Sequence, residues 1–445
     1  MPRKRVKSSH ASDHTIHSAP KPPTHKHKSS TRFKFIFFAI IFIFILFIVL
    51  TYHRQWRRQR DSALSPVGES HSELSVYERG LVGPHISYEQ VVAEAERSWI
   101  NRTHRHFNAM VLAYVTPWNN KGYEMAKKFR AKLTHVSPVW YQLKRVGTEL
   151  QLLGRHDADQ QWIAEVRKDG HPMILPRFLL EASPVEFLTK KMQRKQVIDL
   201  IVSECKNMGF DGVVLEAWSV WTAYGILKDP RLRKMALQFL EELGSMLHTT
   251  KVEYRLDGNL ELVFVISPPN SNQNDPDMIT ATDIARLSNH VDGFSLMTYD
   301  FSSVYHPGPN APLDWVHACL HFLLPDTVVK QQVNGKMEIE TTDKLAGKIL
   351  MGINFYGNNY VLPKGGGPIL GHEYLSLLRI NRPKLHWDNQ SMEHYFDYEE
   401  HLKKHRVFYP SLESISVRLE VARAWGVGLS IWEIGQGLDY FFDIL

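Results

Sequence analysis

From Met110 onward, short apolar runs alternate with amphipathic stretches, the texture of a parallel α/β fold. The runs predict eight strands, at 110–116, 133–140, 172–178, 210–216, 260–266, 291–298, 349–355 and 427–432. Helical patterns lie between most of them. The clearest starts at Ser183-Pro184-Val185-Glu186, where Ser183 can cap, Pro184 suits the first helical position and Glu186 completes a capping box. That helix keeps Val197, Ile201, Cys205 and Met208 on one face, and Gly209 stops it. Eight such units predict an α/β (β/α)8 TIM barrel. The interval between strands seven and eight exceeds what one helix needs. Within it 384–388 and 394–398 read as paired strands, so a small α+β insertion is expected after strand seven.

Upstream of the barrel the pattern changes. Residues 1–34 are rich in Ser, His, Lys and Pro without apolar periodicity and predict a disordered tail. Residues 35–52 form an uninterrupted apolar run of bilayer-spanning length. No small-residue cleavage pattern follows, so the run predicts a single transmembrane helix, a signal anchor that engages the lipid bilayer. Residues 53–105 predict a charged stalk with one helix near 88–99, and the barrel domain is expected from 106 to 445.

Charge sharpens this division. The net charge of +6 divides into thirteen Lys/Arg against one acid in residues 1–60, and forty against forty-six beyond. The folded part is therefore mildly acidic, which argues against a nucleic-acid partner. Nine of the N-terminal cations precede the apolar run and four follow it, which favours a cytoplasmic N-terminus. The expectation is a single-pass type II protein with a lumenal or extracellular barrel. Glycosylation acceptors at Asn101 and Asn389 agree with that topology. Cys205 and Cys319 sit in different helical contexts and predict free buried thiols. His401 and His405 are spaced as on a helix but lack a third ligand, and Gly365-Gly366-Gly367 reads as a flexible turn rather than a phosphate loop. No metal or cofactor is expected.

Candidate chemistry concentrates on the fourth strand, Gly209-Phe210-Asp211-Gly212-Val213-Val214-Leu215-Glu216-Ala217-Trp218. Alternation places Val214, Glu216 and Trp218 on one face and Val213, Leu215 and Ala217 on the other. The segment resembles the FDGxDxDxE signature strand of family 18 glycoside hydrolases. Aligned on Phe210-Asp211-Gly212, the family's three carboxylates fall on Val214, Glu216 and Trp218. Phe294-Ser295-Leu296-Met297-Thr298-Tyr299-Asp300 resembles the family's strand-six MxYD. Gly352-Ile353-Asn354-Phe355-Tyr356-Gly357 resembles its strand-seven GxPxYG, and Gly428-Leu429-Ser430-Ile431-Trp432-Glu433 its closing GxxxW strand. The small-residue SxGG of many third strands is absent; Leu175-Pro176-Arg177-Phe178-Leu179-Leu180-Glu181 stands there. The resemblance places the insertion at 358–408.

The resemblance implies a substrate-assisted glycosidase in which an enzyme acid protonates the leaving oxygen. With tryptophan at the acid position, no catalytic residue is expected; Glu216, or Glu181, is the fallback. Glu216 is expected to be held by Tyr299 or another inward donor. The expected ligand is a chitin or N-acetylglucosamine-type oligosaccharide or glycoconjugate, bound without hydrolysis. Competing readings are an active glycosidase and a protein-interaction scaffold whose partners the chain does not reveal. Candidate sugar contacts are Trp432, Tyr299, Trp118, Trp140 and Tyr356, because aromatic faces stack on sugar C–H surfaces, with Asp300 and Glu216 as polar contacts. Trp218 reads either as a platform or as a plug. Glu433 is expected to point outward into a structural ion pair.

Overall fold

The computed structural model describes residues 71–445, apart from 253–257, 271–274, 326, 334–335 and 342–344, and apart from the side chains of 169 and 326–344. The predicted anchor at 35–52 lies outside these residues. Among the described residues no helix is long and apolar enough to cross a membrane.

The eight predicted strands form a closed parallel ring: β1 Val111–Val115, β2 His135–Pro138, β3 Met173–Ile174 continuing as Arg177–Leu180, β4 Gly212–Glu216, β5 Glu261–Ile266, β6 Gly293–Leu296, β7 Ile349–Asn354 and β8 Gly428–Trp432. Leu429 pairs with Val111 to close it. The strands are buried along most of their length, and so read as near-continuous apolar runs. Strands two and three are each interrupted beside a proline. β2 stops at Pro138, and the chain resumes as Tyr141–Val146, which forms an antiparallel hairpin with Glu149–Leu153. β3 breaks at Leu175-Pro176, its first piece pairing with β2 and its second with β4. A missing N–H favours such breaks.

Two apolar clusters separate inside from outside. Leu112, Tyr114, Val139, Leu175, Val214, Val263, Val265 and Leu350 fill the barrel, with Met297 and Trp432 packed on them. The larger cluster lies between the ring and its helices. Helix Lys191–Met208 buries Val197, Ile201 and Cys205 and ends on Gly209 at φ 67°, a left-handed geometry that glycine adopts without steric cost. The expected capping box at its start does not form. Glu186 is engaged by Lys190 (3.0 Å) and Arg145 (3.1 Å), and the helix divides at Lys190 into Pro184–Thr189 and Lys191–Met208.

The insertion is present as an antiparallel sheet of Gly366–Ile369, Gly357–Val361, Lys403–Phe408, Glu393–Glu400 and His386–Asp388, with helix Gly371–Asn381. His386–Asp388 pairs with 393–395 as predicted. Gly366 and Gly367 lie in a strand rather than a turn, and His401 occupies the Glu400–Lys403 hairpin bend rather than a helix. A hairpin of Thr327–Val333 and Lys336–Thr341, not foreseen, precedes β7. Both cysteines are buried and free.

Residues 71–105 depart from the expected stalk. Its helix is there, at Tyr88–Glu94, but the segment packs into the core through Val76, Leu81, Val91 and Ala95. Arg79 bridges Glu94 (2.6 Å) and the buried Asp443 (3.0 Å). Burial pushes the Asp443 carboxyl up to about 6 against the opposing Trp99 amide hydrogen bond and the Arg79 charge.

Candidate functional site

The carboxyl ends of the strands form the mouth of the barrel. β4 delivers Val214 into the inner cluster and ends at Glu216. At Ala217 the backbone leaves the extended region (φ −145°, ψ −26°) and enters helix Trp218–Ala223. Strand alternation stops there, so Trp218 does not share the face of Val214 and Glu216. It is 1% exposed in the outer core, 6.0 Å from the rings of both Trp221 and Phe264, with the Arg233 guanidinium over it at 5.2 Å. Its Nε1 donates to the Asp277 carbonyl at 2.7 Å. It is neither a sugar platform nor an inward plug.

Trp140 is likewise withdrawn. At the break after Pro138, Val139 stays inward and Trp140 turns out, where it packs on Trp162 and donates to the Tyr123 hydroxyl at 2.7 Å. Trp118, on the loop after β1, is 69% exposed and available to a ligand.

The remaining candidates converge. Glu216 faces the mouth, and its Oε2 accepts from Arg177 Nε at 2.5 Å. The inward donor is thus Arg177 rather than Tyr299. This residue was missed as a site candidate, although a long cation in place of the small SxGG residues was the available signal. The Glu216 charge also reaches the phenols of Tyr114 and Tyr299, both pushed upward chiefly by burial. Tyr114 shares a 2.9 Å hydrogen bond with Ser295 and lies 5.3 Å from the Trp432 ring at 53°. Trp432 is half-buried at the end of β8, above the small, buried Ser430.

Tyr299 meets Tyr356 edge-on at 6.5 Å, and the Tyr356 hydroxyl donates to Asp300. Asp300 is exposed, with φ 60°, its amide donating to Asn310 Oδ1 at 2.8 Å. The loop carrying Asn310 is pinned from below. Glu393 of the insertion accepts from the Asn310 and Ala311 amides and pairs with the buried Arg418 at 3.1 Å. Burial raises the Glu393 carboxyl against the Arg418 charge. Glu181 sits on the rim with Lys144 at 3.5 Å.

Glu433 follows Trp432 across a cis peptide and, as expected, points out of the barrel interior. The expected ion pair is absent. Glu433 is fully buried, its oxygens accepting from Asn119 Nδ2 (2.6 Å) and the Gly435 amide (3.2 Å). Burial lifts its carboxyl to about 7, with those hydrogen bonds opposing. Gly122 leaves the room, since a Cβ there would lie 2.1 Å from Glu433 Oε1.

Both acceptor asparagines, Asn101 and Asn389, are exposed. Among the described residues no cluster of His, Cys, Asp and Glu is arranged to hold a metal ion.

The family model for glycosyl hydrolases family 18 matches residues 185–437. The cortical fragment-lytic enzyme of Bacillus subtilis is 22% identical over 338 residues, covering 73% of this chain and 70% of that protein. Among solved structures, a chitinase from Chromobacterium violaceum superposes with a TM-score of 0.60 at 19% identity, covering 76% of this chain and 98% of that one. A chitinase from Cycas revoluta, solved in complex with (GlcNAc)3, gives 0.58 at 14% identity, covering 75% and 98%.

Proposed function

Because this chain belongs to glycosyl hydrolases family 18, we propose that its barrel mouth binds N-acetylglucosamine-type oligosaccharides without hydrolysing them. What supports the second half is one observation about strand four: of the three carboxylate positions, only Glu216 still carries an acid. Hydrolysis requires a proton donor at the leaving oxygen, worth about 10²–10⁴ in rate. Val214 has no proton to give, and Trp218 is turned into the outer core. Glu216 Oε2 is already the acceptor of a guanidinium. What supports the first half is the retained cluster of Trp432, Tyr299, Tyr356 and Asp300, together with the (GlcNAc)3 complex of the Cycas relative. The degenerate fourth strand and the ending Trp432-Glu433-Ile434-Gly435-Gln436-Gly437 resemble those of the chitinase domain-containing protein 1 group.

Turnover of a chromogenic chitobioside is expected to stay at background while chitotriose quenches tryptophan fluorescence. Hydrolysis that disappears in Glu216→Gln would overturn the reading and make Glu216 the acid. Its side chain, about a fifth exposed, is the observation favouring that alternative.

We also infer a type II topology, with residues 35–52 in the bilayer and the barrel lumenal or extracellular. The charge asymmetry around that run and the exposed Asn101 and Asn389 support it. In microsomes the barrel is expected to resist added protease. Its digestion from outside intact vesicles would reverse the orientation.

A further inference from the structure

The end of the barrel opposite the mouth carries a concave surface, a groove of about 820 Å³. It lies between the segment leading into β1, the turn before β2 and the start of β3. Arg102, Arg105, Lys128, Arg130, Lys168 and His171 line it, with the hydroxyl-bearing Thr103 and Thr134, and no carboxylate is among the lining residues. This is not a by-product of composition, because acids outnumber Lys and Arg beyond residue 60.

Internal partners account for part of that charge. Lys128 pairs with Asp439 at 3.1 Å, and Arg130 donates to the Lys127 carbonyl at 3.3 Å. Arg105 donates from Nη2 to the Ala109 carbonyl at 2.9 Å, but its Nε is buried without an acceptor. Near Arg105 the buried Lys132 donates to the Leu445 carbonyl at 3.2 Å. Burial pulls the Lys132 ammonium down to about 8; the Asp443 charge opposes this, and the Arg105 charge adds a smaller depression.

We propose that this groove is a binding site for oligosaccharides bearing phosphate or sulfate groups. Arginine predominates among the lining cations, and its planar fork matches the oxygens of both groups. The Thr103 hydroxyl donates to Asn101 Oδ1 at 3.1 Å and keeps lone pairs that can accept from a sugar hydroxyl. The recessed shape admits a soluble oligoanion more readily than the plane of a bilayer. Several cations along one groove suit a ligand carrying several charges. The site uses none of the mouth residues and stands whether or not the mouth binds sugar.

The test is calorimetric titration of the full chain in detergent. The probes are a heparin-derived hexasaccharide for sulfate, inositol hexakisphosphate for phosphate and uncharged chitotriose as control. Binding of either anion is expected, and which one binds identifies the group recognised. Arg105→Gln with Lys168→Glu should weaken it by at least about tenfold and flatten its salt dependence, as loss of ionic contacts does for polyelectrolytes. Lys168→Glu with His171→Gln alters only exposed side chains and carries the test if the first variant fails to fold. Trp432→Ala should leave anion binding unchanged. Failure of both anions to bind would overturn the proposal. So would equal affinity in variants that melt like the parent. Capture by phosphatidylserine vesicles that the variants lose, without binding of either soluble anion, would overturn it in favour of a lipid headgroup.

Discussion

Replacing Trp432 with alanine is expected to weaken chitotriose binding by tenfold to a thousandfold. The indole ends β8, half-buried, with Tyr114 5.3 Å to one side and the small Ser430 beneath it. A sugar ring stacked there would gain roughly 1 kcal/mol from the aromatic face, and about 1.5–3 kcal/mol from apolar burial comparable to that of a large side chain. Fluorescence or calorimetric titration reads the loss, and thermal melting must accompany it because Trp432 also covers the barrel core. A variant that melts like the parent and binds chitotriose as tightly would remove the sugar site from the mouth. The likeness to family 18 would then be one of fold alone.

The second large effect concerns pH. Glu433 is buried, and its carboxyl stands at about 7 against 4.5 when free. Between those values the folded chain holds a proton that the unfolded chain has released. Stability therefore falls as pH rises through this window, by about 3 kcal/mol from this group. Asp443, at about 6, acts in the same direction below that value. His394 acts oppositely. Burial lowers its imidazole to about 4, so stability is lost as pH falls from 6.5 towards 4. The parent's profile is their sum, and Glu433→Gln isolates one contribution. Urea unfolding at pH 5 and pH 7.5 should show the decline shrinking by roughly 2 kcal/mol in the variant. Parallel profiles would mean that Glu433 does not hold the proton.

The barrel was legible because buried parallel strands are continuously apolar, and all eight runs became strands. What escaped depended on where strands stop. Alternation placed Trp218 beside Glu216 only while β4 was assumed to continue, and the turn at Ala217 ended it one residue after Glu216. Trp140 failed for a related reason, since the break after Pro138 reverses which neighbour faces inward. Arg177 was visible as an oddity, but its bond to Glu216 depends on the pairing of β3 with β4, which no single segment encodes. Glu433 was placed outward correctly. Its hydrogen-bond cradle draws on Asn119, distant in the chain, and could not be read locally. Residues 71–105 looked like a stalk because charges outweigh the few apolar residues that anchor them.

The path of the chain at Ala217 sets what it would take to give this barrel a proton donor. A glutamate introduced at position 218 would inherit the place of the present indole, among Trp221, Phe264 and the Arg233 guanidinium. It would reach the arginine before it reached any sugar. Carrying that carboxylate to the mouth would require the strand to run on past Glu216 and the outer core to refill the volume of a tryptophan. Arg177 would also have to release its hold on Glu216. Making the mouth hydrolytic through position 218 therefore takes concerted changes in β4, in the outer core and in the Arg177–Glu216 pair, not one substitution.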